Sequence, residues 1–143
     1  MKMLKNNDSR KRNNGNDSSP EVEKLVSYIE NGGSNLYEIL RENGPACNIG
    51  KERRTSSSQM RKFYDNVVNI EEKYTGRQKA LAQLSIITPL AYYANKRKLL
   101  DINDYNFLSR SVDALVKSTD SDFELKLKRF RDVFQGIIAY GKE

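Results

Sequence analysis

Residues 121–140, SDFELKLKRFRDVFQGIIAY, carry the longest apolar stripe in the chain. Phe123, Leu127, Phe130, Phe134, Ile137 and Ile138 recur at intervals of three and four, so a 3.6-residue period gathers them on one side of a helix. Ser121-x-x-Glu124 reads as a capping box, in which a hydroxyl and a carboxylate satisfy backbone donors that the first turn leaves unpaired. Lys126, Lys128, Arg129 and Arg131 take the polar side. A helix with so continuous a stripe must be covered by other helices. Phe134, with apolar neighbours one turn away in both directions, is expected at the centre of the core.

The same period runs through the segments upstream. Asp101 or Asn103 starts a helix with Leu108, Val112, Leu115 and Val116 inward, ending near Ser118. A second box, Thr75-x-x-Gln78, opens a helix through Leu81, Leu84, Ile87 and Ala91 to Arg97. Pro89 kinks this helix, because it has no N–H for the Ser85 carbonyl. A third box, Ser56-x-x-Gln59, precedes Met60, Phe63, Tyr64, Val67, Ile70 and Tyr74 on one face. Before it, Ser34 caps a short helix with Leu36, Ile39 and Leu40, terminated by Asn43-Gly44-Pro45. Ser19-Pro20-Glu21 starts a helix carrying Val22, Leu25, Val26 and Ile29 that ends at Gly32-Gly33.

No segment alternates at period two. The expectation is an all-α, single-domain antiparallel helical bundle of about five to six helices spanning residues 19–143. Residues 1–18 are mostly Asn, Asp, Ser, Lys and Arg, with almost nothing to bury. Ordering them costs about 1–2 kcal/mol of backbone entropy per residue without return, so they read as a disordered basic, polar arm.

The chain contains no histidine, which removes the commonest general base and metal ligand together. Cys47 is the one cysteine and has neither a disulfide partner nor a histidine to activate it; it reads as a small loop residue. Gly32-Gly33 follows a helix instead of a strand and has no GKS or GKT behind it, so it is no phosphate loop. Glu71-Glu72, Asp101/Asp104 and Asp120/Asp122 fall on polar faces or helix starts, where acids are expected without any catalytic role. These readings predict no enzyme, no metal and no cofactor. No apolar run approaches the roughly 20 residues that span a bilayer, and the N-terminus lacks the apolar region of a signal peptide, so a cytoplasmic, membrane-free protein is expected.

Basic character is what remains. The net charge of +6 divides into +3 for residues 1–19, −3 for 20–50 and +6 for the rest, which favours a polyanionic partner for the C-terminal body. Lys51, Arg53 and Arg54 precede the helix that begins with Arg61 and Lys62 in its first turns; Lys96-Arg97-Lys98 closes the next. Each cluster also has an ordinary reading: a snorkelling side chain, a cation at a helix C-terminus, or a solvated face. The eight tyrosines are mostly placed by helical spacing at core borders, although an exposed one can stack on a base.

Three stretches carry a resemblance. They are Thr55-Ser56-Ser57-Ser58-Gln59-Met60-Arg61-Lys62-Phe63-Tyr64, then Leu90-Ala91-Tyr92-Tyr93-Ala94-Asn95-Lys96-Arg97, then Phe130 through Ile137-Ile138-Ala139-Tyr140. In this order and spacing, from about residue 55 to 141, the chain resembles the small subunit of type III-A CRISPR effector (Csm) complexes. Lys96 stands where that family often has Gly. The resemblance implies a non-catalytic subunit of an antiviral ribonucleoprotein, stacked in several copies beside the backbone subunits and near the large subunit. It also implies sequence-independent backbone contacts to crRNA paired with target RNA. The RNA-binding residues expected are Arg53, Arg54, Arg61, Lys62, Lys96, Arg97 and Arg129. Two rival readings are a helix-turn-helix DNA-binding regulator and a scaffold that binds only protein. Against the regulator, the Thr75-Gly76 turn is expected to join helices of roughly 19 and 22 residues, longer than such regulators use.

Overall fold

The computed structural model describes residues 18–33, 35–53 and 58–141. Within them lie eight helical segments and no strand: α1 Pro20–Asn31, α2 Leu36–Leu40, α3 Pro45–Lys51, α4 Ser58–Glu72, α5 Arg77–Leu84, α6 Ile87–Lys96, α7 Ile102–Val116 and α8 Phe123–Tyr140. The all-helical bundle expected from the sequence is therefore the fold. The arm expected at residues 1–18 lies outside the described residues except for Ser18, whose hydroxyl accepts from Arg110 Nη1 at 3.2 Å.

Local chemistry explains the helix ends. Ser19 Oγ accepts from the Val22 N–H at 3.3 Å and Pro20 takes the first position, where its missing N–H costs nothing. Gly32 ends α1 at φ 63, a left-handed conformation that an L side chain adopts only at a cost. Asn35 caps α2, with Oδ1 accepting from the Tyr37 N–H at 2.9 Å. The cap expected from Ser34 lies outside the described residues, as does that from Ser56.

The other two expected boxes do not form. Gly76 precedes α5 without a side-chain cap, and Asp122 precedes α8. The Asp122 carboxylate is instead held by the preceding turn, accepting from the Thr119 N–H at 2.9 Å and Thr119 Oγ1 at 2.8 Å. Local hydrogen bonding of this kind competes directly with capping.

Two further expectations need correction. Asn43-Gly44-Pro45 ends α2 but also opens α3, with Gly44 as its N-cap and Pro45 in its first position. Cys47 is therefore buried in a helix instead of lying in a loop. The α3 segment, PACNIGK, has poor helix propensity and no amphipathic period, so packing decides it. Gly50 is central to that packing, because a Cβ there would stand 2.6 Å from the Ile137 carbonyl oxygen of α8. Between α5 and α6, Ser85 and Ile86 keep right-handed helical angles (φ −61, ψ −24 and φ −77, ψ −19). Hydrogen bonding is interrupted there while the backbone stays helical, as the missing Pro89 N–H dictates.

Helix α8 packs on α3 and α4, and α7 packs on α1 and α6. Arg110 of α7 ties down α1 through a two-toothed ion pair with Glu23. Phe134 is fully buried at the crossing, with ring centroids 5.4 Å from Tyr64, 5.5 Å from Phe107 and 5.8 Å from Phe130. One connected apolar cluster runs from Val22 to Ile138.

Candidate nucleic-acid interface

The basic residues singled out by sequence divide into three groups. Arg53 is structural: its side chain is 1% exposed and forks onto Asp104 of α7, with Nε–Oδ2 2.8 Å and Nη2–Oδ1 3.3 Å. Burial pushes the Asp104 carboxyl up, and the bonds from Arg53 oppose that shift. Such a guanidinium offers no fork to a phosphate. Arg129 is half-buried and donates Nη1 to the Ile29 carbonyl at 3.3 Å, so it closes the C-terminal end of α1. Arg54 lies outside the described residues. Arg61, Lys62, Lys96 and Arg97 are exposed.

Two of the exposed cations converge. Phe63 of α4 and Ala94 of α6, both buried, line one groove of about 370 Å³, which Lys62 from the first helix and Arg97 from the end of the second border. Gln59 and Asn66, three residues before and four after Lys62, share its helix face and add two amides to the wall. Arg61 projects about 100° round the helix from Lys62, so the two neighbours serve different surfaces.

The end of α6 is built to present charge. Leu99 N–H bonds the Ala94 carbonyl at 2.9 Å and Lys98 takes φ 63, the geometry of a Schellman close with lysine where glycine is usual. The turn thereby holds Lys96, Arg97 and Lys98 in the open. The Lys96 ammonium lies 5.2 Å from the Tyr92 ring centroid and the Arg97 guanidinium 5.4 Å from that of Tyr93, where Arg97 Nη1 also donates to the hydroxyl at 3.1 Å. Tyr92 and Tyr93 are 52% and 59% exposed, unlike Tyr64, Tyr74 and Tyr105, which pack on the core.

Sequence reasoning passed over Gln59, Asn66 and Tyr93 as a set. The spacing of Gln59, Lys62 and Asn66 was the available signal; their meeting with Tyr93 was not, because it depends on where the bundle places α4 and α6. Glu71 is engaged by Arg131 in an ion pair. Among the described residues no three His, Cys, Asp or Glu side chains gather as metal ligands.

Residues 34–143 match the family described as Csm2 Type III-A, which is more than half of the chain. The chain belongs to the Csm2 family. It is thus a small subunit of a type III-A CRISPR effector complex and assembles with that complex's other subunits. The family match begins before residue 55, where the first of the three resembling stretches starts, and so takes in α2 and α3. The chain matches no curated protein and no solved structure.

Family membership, not helix length, separates this chain from a DNA-binding regulator. The two helices expected to be long have 15 and 8 residues as α4 and α5. Arg77, at the start of α5, is engaged by the end of α7, donating to the carbonyls of Val116 at 3.0 Å and Ser118 at 2.8 Å. No helix among the described residues is long and apolar enough to cross a membrane.

Proposed function

We propose that this subunit holds crRNA paired with target RNA in a cytoplasmic effector complex, several copies stacking beside the backbone subunits and near the large subunit, and that it catalyses nothing itself. The observation that carries the reading is the convergence of Lys62 from α4 and Arg97 from α6 on one groove, extended by Lys96 and Lys98. Cations on a rigid helical frame hold phosphates without reading bases, as a subunit that must accept any guide requires. Arg61 is assigned to the same role on neighbouring surface and Arg54 to the same role on its charge alone, while Arg53 and Arg129 are not, being engaged inside the fold.

Binding of the isolated full chain to unrelated RNA sequences, followed by fluorescence anisotropy across a salt series, tests this. Affinities are expected to be similar across sequences and to fall with salt, with a log–log slope near −0.7 per phosphate contacted for single strands. Lys62→Ala and Arg97→Ala should each keep the helical circular dichroism spectrum, weaken binding and reduce the slope by somewhat less than one unit. Wild-type affinity and slope in both folded variants refute the assignment. Metal-dependent RNA cleavage lost on one Asp or Glu substitution refutes the absence of catalysis.

A further inference from the structure

We infer that the α4–α6 groove receives one unpaired nucleotide of an RNA strand, its base lodged beside Tyr93 and its phosphate held by Lys62 and Arg97. This rests on the RNA-binding reading above and goes beyond backbone contact. Phosphate binding alone requires only exposed cations, whereas this groove has features that cations do not explain. Phe63, Leu90 and Ala94 give the groove an apolar lining, and Gln59 and Asn66 add two amides to it. Each amide carries both donor and acceptor atoms, so it can pair with the edge of any base. Tyr92 rests edge-on against Tyr105, with centroids 6.2 Å apart, while Tyr93 lines the groove with its ring oriented by Arg97.

The volume of about 370 Å³ lies at the small end of the range that holds small ligands, about 300–1,000 Å³. That is room for a single nucleotide but not for a base pair, so a duplex meets only the charges at the rim. A base inside a continuous A-form helix is stacked and paired and cannot enter, so only an unpaired nucleotide presents base and phosphate together. An aromatic face accepts every base, which keeps the site independent of sequence.

The test uses three RNA duplexes of one sequence: fully paired, with one bulged nucleotide, and with that bulged nucleotide made abasic. The full chain should bind the bulged duplex about tenfold more tightly than the other two, the scale of one base–aromatic stack. All three should keep the same salt slope. Tyr93→Ala should make the three equal, while Tyr93→Phe, which keeps the ring, should restore the preference. Equal binding of all three by the wild-type chain, or a preference that survives Tyr93→Ala, overturns the pocket and leaves phosphate binding intact. Failure to bind any of them overturns the RNA-binding reading and the pocket with it.

Discussion

Asp104→Leu and Arg53→Met remove the two halves of one buried ion pair, and they are expected to differ in cost. Both side chains are 1% exposed, so each substitution strands the other charge away from water. Breaking such a pair costs about 3–5 kcal/mol, a large part of the roughly 5–15 kcal/mol that holds a domain together. A guanidinium cannot shed its proton, and Arg53 Nη1 is already buried without a partner. Asp104→Leu should therefore fall at the upper end, about 5 kcal/mol. A stranded carboxyl can instead take up a proton, and burial already pushes the Asp104 value up. Arg53→Met should fall nearer about 3 kcal/mol at neutral pH. A raised carboxyl binds its proton more tightly folded than unfolded, so this variant should regain stability relative to wild type as the pH falls. The double variant leaves no charge behind and should be more stable than Asp104→Leu alone. Urea denaturation followed by circular dichroism, at neutral pH and about two units lower, measures all four proteins. A double variant as unstable as Asp104→Leu, or an Arg53→Met cost that ignores pH, refutes the reasoning.

Phe134→Ala should cost about 3–5 kcal/mol by the same assay, because three rings surround the cavity it leaves; a loss under about 1 kcal/mol would contradict central burial. Lys98→Gly should raise stability by about 1 kcal/mol by relieving a lysine at φ 63, and a lower melting temperature would show that the lysine side chain supports the turn. Hydrogen bonding from Arg110 holds the Glu23 carboxyl below its ordinary value, so the stability of the α1–α7 tie is present above the usual carboxylate range and lost as the pH falls through the depressed value. The pair is partly exposed and the effect is under about 1 kcal/mol; Glu23→Gln should flatten that part of the acid limb, and an unchanged limb counts against the tie.

The apolar period of α1, α4, α7 and α8 was legible because burial of a helix face constrains residues three and four apart, which are close in sequence and neighbours on the helix surface. That periodicity determined the helical class and the central place of Phe134. The charge pattern likewise marked Lys62, Lys96 and Arg97 as exposed cations. Other features depended on residues far apart in sequence. Helix α3 forms because Gly50 lets it lie against α8, and no propensity within PACNIGK predicts that approach. Arg53 reads like Arg97 in sequence, yet one is sealed onto Asp104, 51 residues away, and the other borders a groove. Ser121 and Thr75 match capping boxes, but the turns before α8 and α5 take different geometries. Sequence alone thus determined which faces must be buried and which charges the chain carries. Only the tertiary structure decided which charges found a buried partner, because that choice is made by packing between helices rather than by spacing within one.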